Sequence, residues 1–401
     1  MPNNVEFYVP FPGAVSPDAA AADAHLVQWA LTQHLLPPRQ ARYFAAMRLG
    51  TCAAHIYPRA RGEDLNLAAD HMGLLSLAND LVGSTDQARA QTAAAVCRDL
   101  LTLFENDHPS RPATPVGAAW CSLWRRLRAG MPPLWRQRIL HEHAAIFAAY
   151  LDHRIHRTLP TVEQYLQRRR ITTGLPVAFA VAERVEHWHA PERFLSTPCA
   201  RAFLEEVTKI AVLPNDVFAV EREQSRGEVD NLVLVLEAAG RTRAQAIADT
   251  QAMVRHASER FLHLTDLLPA HYDDLKLDPA ERTAADTYVQ AMRHLARGNY
   301  DWITKGTARY DHQATTLAIS TGYEDAPATT GTGPPPPPGR RHNGCVSPAG
   351  DNYRAETVTT SPPHRAHSSW PRGAPGDNYG ASAQQERRPS AQPACPTSMP
   401  T

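Results

Sequence analysis

From residue 19 to residue 307 the apolar side chains return at intervals of three and four, and hardly anywhere do they alternate singly. That spacing is the period of a helix and not of a strand. Stretches 19–36, 40–55, 63–81, 85–106, 116–129, 132–153, 161–170, 177–190, 194–213, 216–239, 241–268 and 280–307 each read as helices. Several carry their own punctuation: Thr161 stands where an N-cap belongs, and Pro132-Pro133 and Pro214 stand where a proline can open a helix. A chain of helices without strands can bury its apolar stripes only on other helices. The fold class is therefore all-α, one helical bundle around a long core. No Gly-rich loop follows a strand, so the usual α/β phosphate cradles are excluded.

The periodicity stops near residue 325, and 15 of the chain's 34 prolines fall from Pro327 onward, with Pro334 to Pro338 consecutive. Such a segment cannot bury enough apolar surface to offset its ordering entropy. The expected organisation is a helical domain over 1–325 and a Pro-rich disordered tail over 326–401, in which Gly350-Asp351-Asn352-Tyr353 recurs as Gly376-Asp377-Asn378-Tyr379. The 41 basic and 41 acidic residues cancel, which removes the electrostatic footprint of a nucleic-acid partner. Six scattered cysteines, with no Cys-x-x-Cys, indicate neither a disulfide framework nor a zinc site. With no apolar run of spanning length and no signal-like start, the expected location is the cytoplasm.

Four stretches carry chemistry. In a helix Asn215, Ala219 and Glu223 share one face, where oxygen ligands suit a hard cation such as Mg²⁺, while Arg222 and Arg226 stand beside that row. Cations with two guanidinium groups at the margin suit a diphosphate. An ordinary amphipathic helix with a solvated charged face would carry the same letters. Upstream, an apolar helix ends in Asn79-Asp80, followed by Gly83, Ser84 and Asp86. A bundle would place such carboxylates at a cavity rim, although a plain helix C-cap reads the same way. Third, Tyr165-Leu166-Gln167-Arg168-Arg169-Arg170 runs into Thr172-Thr173-Gly174. Last, Gly298-Asn299-Tyr300-Asp301-Trp302 leads to Arg309-Tyr310, and the Trp302 face suits a passing cation.

In that order and spacing the stretches resemble the bacterial class I terpene synthases over about residues 6–323, with Phe7-Tyr8-Val9-Pro10-Phe11-Pro12 and Met131-Pro132-Pro133-Leu134-Trp135 adding to the match. The resemblance implies Mg²⁺, three ions in all, held by Asn79, Asp80, Asn215 and Glu223. It makes Arg169, Arg222, Arg226, Arg309 and Tyr310 the diphosphate donors, and puts Thr172, Thr173 and Gly174 at a helix break that addresses the forming carbocation. The substrate would be farnesyl diphosphate first and geranylgeranyl diphosphate second, with a homodimer as the assembly to test. Two motifs depart from the pattern. Asn79 replaces the first acid of the aspartate-rich motif, leaving Asp86 as the substitute for its later acid, and Ala219 replaces a ligating Ser. Those losses keep two alternatives open: a catalytically impaired helical protein that binds an isoprenoid or a partner, and a cyclase acting on a pre-cyclised diphosphate. Ionisation calls for no side-chain base, and the 19 histidines, His187 and His189 included, show no ligand spacing.

Overall fold

The computed structural model describes residues 5–82, 87–106, 114–155, 159–225, 227–228, 230–305 and 307–310. The expected tail 326–401, together with Gly83, Ser84, Asp86 and Arg226, lies outside the described residues. Helices follow in the order α1 Ala19–Thr32, α2 Ala41–Ala46, α3 Leu49–Ile56, α4 Gly62–Val82, α5 Gln87–Asn106, α6 Pro115–Leu127 and α7 Pro133–Ile155. Then come α8 Val162–Thr172, α9 Leu175–Val185, α10 Glu192–Leu195, α11 Pro198–Ser225, α12 Leu232–Ala238, α13 Arg243–Asp274 and α14 Pro279–Thr304, with 3₁₀ turns at Pro38–Gln40 and Ala308–Tyr310. Among the described residues there is no strand, as the periodicity requires.

α11 is the central element. It packs on α13, α14 and α12, and its Phe203, Val207, Ile210, Leu213, Val217 and Val220 are buried on more than one side. Each such side chain contributes about 1.5–3 kcal/mol by leaving water. The segment before α1 closes one side, with Phe11 edge-on to Phe261 at 5.1 Å and the Phe7 amide donating to the Tyr300 hydroxyl at 3.1 Å. Capping boxes fix three helix starts, Thr161 with Gln164, Thr242 with Gln245, and Asp278 with Glu281.

Several boundaries differ from the sequence reading, and in the first of those that follow a distant partner sets the break. Stretch 40–55 is two helices: Arg48 takes a left-handed φ of 51°, and Asp23 on α1 caps α3 by accepting from the Thr51 amide at 2.8 Å. Nor is Pro214 a boundary, since α11 runs through it. An interior proline costs about 3 kcal/mol, and here tertiary packing outweighs that. In the preceding turn Asn299 of α14 donates its Nδ2 to the Ala211 carbonyl at 2.7 Å, which ties this part of α11 to α14. Finally, 216–239 is not one helix. α11 ends at Ser225, and Asn231 opens α12 by accepting from the Val233 amide at 2.9 Å.

Candidate active site

α3, α4, α7, α11, α14 and the α8–α9 junction surround a cavity of about 290 Å³. Its depth is apolar, with Leu49, Ile56, Met72, Leu75, Ile146 and Leu295. Its mouth is polar and charged, with Asn79, Arg169, Asn215, Arg222, Glu223, Asp230, Arg309 and Tyr310. An apolar chain and an anionic head would be sorted to opposite ends by solvation alone.

The α8–α9 junction follows from its letters. Gly174 adopts φ 68°, a left-handed conformation that ends α8, and Pro176 sits in the first turn of α9. The Thr172 carbonyl at the end of α8 accepts from the Tyr150 hydroxyl at 3.3 Å. Thr172, Thr173 and Gly174 all border the cavity, so the expected helix break lies in its wall.

α11 presents Asn215 and Glu223 to the mouth, while Ala219 between them is fully buried. Asn215 Nδ2 donates to the Tyr310 hydroxyl. Glu223 accepts from Asn231 Nδ2 at 2.8 Å, and burial raises its pKa against the opposing charge of Arg222. Asp80 does not face the cavity as freely as the sequence suggested. Its buried carboxylate is gripped by both terminal nitrogens of Arg309, at 2.8 and 3.2 Å. Asn79 beside it is exposed and borders the cavity. Trp302 also borders it, with its indole N–H on the Met47 carbonyl at 3.0 Å and its ring 5.9 Å from that of Tyr310.

Two residues that sequence reasoning passed over hold this mouth together. Asp216 is fully buried and accepts from the Tyr165 hydroxyl, from Arg169 Nη2 at 3.2 Å and from the Leu232 amide at 2.9 Å. Burial, reinforced by the charge of Glu223 and opposed by Arg169, raises its pKa to about 7. Asn231 donates to both the Asp216 carbonyl and Glu223, each at 2.8 Å, so one side chain ties the end of α11 to the start of α12. Asp216 was visible as an acid amid the buried Leu213, Val217 and Val220. Asn231 was visible as a cap before Leu232-Val233.

Some of the buried polar atoms that lack a hydrogen-bond partner lie on residues lining the cavity. Arg169 Nε, Arg222 Nε and Thr173 Oγ1 are buried without a hydrogen-bond partner, and all three residues border the cavity. Leaving such an atom unpaired costs about 1–3 kcal/mol, so a bound group is the economical explanation. The unpaired guanidinium nitrogens fit an anion. For a metal the fit is a mixed one: among the described residues no three acids or histidines converge on a metal site. Yet the carboxamide of Asn215 and the carboxylates of Glu223 and Asp230 are hard oxygen donors at one mouth, and Mg²⁺ completes such a set with substrate oxygens and water.

Fold and site together define a helical enzyme that takes an apolar chain with an anionic head. Residues 70–260 match the family model described as terpene synthase family 2, C-terminal metal binding. The (-)-beta-caryophyllene synthase of Saccharothrix espanaensis is 35% identical over 348 residues, 84% of this chain and 97% of that protein. Pentalenene synthase of Streptomyces avermitilis is 32% identical over 331 residues, 81% of this chain and 97% of that one. The solved structure of linalool/nerolidol synthase from Streptomyces clavuligerus in complex with 2-fluorogeranyl diphosphate superposes with TM-score 0.67, 29% identity, 75% of this chain and 99% of that one. The chain belongs to the bacterial terpene synthases. It is a divalent-metal enzyme that ionises a prenyl diphosphate, releases diphosphate and cyclises the cation. Among the described residues no helix is long and apolar enough to cross a membrane.

Proposed function

We propose that the substrate is farnesyl diphosphate, with geranylgeranyl diphosphate second, and that residues 1–325 carry the whole activity. The observation that supports this most is the buried, unpaired donor nitrogen on each of Arg169 and Arg222 at the mouth of an otherwise apolar cavity. The caryophyllene synthase is described as cyclising farnesyl diphosphate, which favours the fifteen-carbon chain.

In this reading Arg169, Arg222, Arg226 and Arg309, with the Tyr310 hydroxyl, grip the diphosphate. Asn79, Asp80, Asn215 and Glu223, with Asp86 a substitute acid, would hold Mg²⁺, three ions in this reading, which would supply Lewis-acid pull on the diphosphate. Guanidinium groups fixed in a dry cavity stabilise the charge that develops on the leaving group far better than water does. Asp216 and Tyr165 keep Arg169 aimed, since a side chain bonded on one edge cannot swing out. Arg309 is held by Asp80, so to grip the diphosphate it would release that carboxylate, which could then serve as a metal ligand. As the C–O bond breaks, its electron pair leaves with the diphosphate. The allylic cation then lies among apolar walls, the backbone at Thr172, Thr173 and Gly174, and the Trp302 face. Exclusion of water keeps it from early capture.

The test is incubation of the purified chain with Mg²⁺ and geranyl, farnesyl or geranylgeranyl diphosphate, with extracts analysed by gas chromatography and mass spectrometry. A cyclic fifteen-carbon product from farnesyl diphosphate is expected. A cyclic product from geranylgeranyl diphosphate alone would overturn the substrate assignment.

A further inference from the structure

At the floor of the cavity lies a buried pair of imidazoles that ionisation does not use. His71 of α4 and His143 of α7 approach Nε2 to Nε2 at 3.1 Å. His71 borders the cavity; His143 stands behind it, stacked on Phe104 at 4.7 Å and edge-on to Trp120 at 5.4 Å. His71 precedes Asp80 by nine residues on α4, so it sits roughly 13 Å along the helix from the charged mouth.

The hydrogen bonds fix where the protons are. His143 Nδ1 lies 2.8 Å from the Ile139 carbonyl, which can only accept, so Nδ1 carries the hydrogen. Burial holds both rings neutral, His143 at about 4 and His71 well below its ordinary value. A neutral His143 with its hydrogen on Nδ1 leaves a lone pair on Nε2, so His71 Nε2–H must donate to it. His71 then has its own lone pair on Nδ1. The acid next to it in sequence is turned away: Asp70 is held by His25 at 3.0 Å and Arg126 at 2.8 Å.

We propose that His71 Nδ1 is the base that ends the reaction by taking a proton from the cyclised carbocation, with His143 as the positioning residue that fixes its tautomer. The proposal rests on the cyclase reading above. A C–H bond beside the cationic carbon breaks, its electron pair becomes the C=C of the product, and the proton goes to the Nδ1 lone pair, leaving a neutral alkene and an imidazolium. A carbocation is so strong a C–H acid that a weakly basic imidazole suffices. The same burial makes the imidazolium acidic, so water entering as the product leaves removes the proton and resets the site. The distance from the mouth selects protons on the part of the chain remote from the diphosphate, a selectivity the diphosphate itself cannot supply.

The native chain, His71→Phe and His71→Gln are each given Mg²⁺ and farnesyl diphosphate, with diphosphate release and products measured separately. Release within about threefold of native is expected. The native alkene should fall below about a tenth of the products, replaced by double-bond isomers or an alcohol. Unchanged product ratios in variants that still release diphosphate would overturn the assignment. Should both variants fail to fold, the native protein decides by ¹⁵N NMR, the pair being identified by coupling across its N–H···N bond. A bare His71 Nδ1 whose resonance moves with an ammonium mimic of the carbocation plus diphosphate supports the proposal; a protonated Nδ1 in the resting protein rules it out. A native chain that releases no diphosphate from any prenyl diphosphate refutes the cyclase reading, and this inference falls with it.

Discussion

Arginine to alanine is the obvious test of the diphosphate donors, but two of the three described donors also neutralise a buried acid. Arg309 grips Asp80, and Arg169 bonds Asp216. Removing either charge strands a carboxylate, which costs about 3–5 kcal/mol and confounds loss of function with loss of fold. Lysine keeps the charge and loses the forked geometry. Arg169→Lys and Arg309→Lys are expected to lower kcat by roughly a hundredfold or more, while circular dichroism melting stays close to native. Native turnover in either variant would remove that arginine from the diphosphate site. At the metal positions, Ala219→Ser adds a neutral oxygen and Asn79→Asp a charged one. Both should lower the Mg²⁺ concentration for half-maximal rate, Asn79→Asp more because Asn79 already borders the cavity whereas Ala219 is sealed. A titration in which neither variant differs from native would show that these positions do not reach the metals. Of the candidate site residues, Asn215 and Glu223 with Arg222 beside them could be read from helical spacing, and they do border the cavity, whereas Arg169 and Arg309 stood out only through the family resemblance. Asp216 and Asn231 could be seen as an acid among apolar residues and as a cap, but their partners on α8, α11 and α12, which make them a hub, are displayed by no local pattern.

Among the elements, those that begin or end on their own letters were readable and those governed by a distant neighbour were not. Thr161, Thr242 and Asp278 open helices with reciprocal caps, and Gly174 with Pro176 makes the α8–α9 break. The division of 40–55 depends on Asp23 reaching Thr51, and on Gly50, where an added Cβ would stand 2.7 Å from the Ala22 carbonyl of α1. Pro214 misleads because it lies buried within α11, where packing on α13 and α14 carries the helix through it. The α8–α9 break offers a direct test. Gly174→Ala forces a side chain into left-handed backbone at about 1–2 kcal/mol. Its Cβ would stand 3.3 Å from Ile146 Cδ1, the mobile tip of a cavity-lining side chain. Urea unfolding should show a loss of that size, together with a changed product ratio as the break shifts. Native stability and native products in Gly174→Ala would mean that the break is neither strained nor in contact with the cation.

For the whole molecule, the described residues lie within Met1–Thr330, and no described helix extends past Thr304. Deleting 326–401 is therefore expected to leave melting temperature and turnover unchanged, and a drop of many degrees would place part of the core beyond residue 325. The buried imidazole pair predicts how the fold responds to acid. His143 is 1% exposed and its pKa in the folded chain is pushed down from 6.5 to about 4, chiefly by burial. Between those values the unfolded chain binds a proton that the folded chain refuses. Stability that is complete above pH 6.5 is consequently lost as pH falls toward 4. At pH 5 the loss from this one group is about 2 kcal/mol, and His71, lowered in the same sense, adds to it. Urea midpoints at pH 7 and pH 5 measure the effect, and His143→Phe isolates it, since a phenyl ring fits the aromatic stack of Phe104 and Trp120 without titrating. The variant should lose distinctly less stability than the native protein over that interval. Equal losses would mean that His143 is charged in the folded state, and a charged His143 could not hold His71 Nδ1 bare.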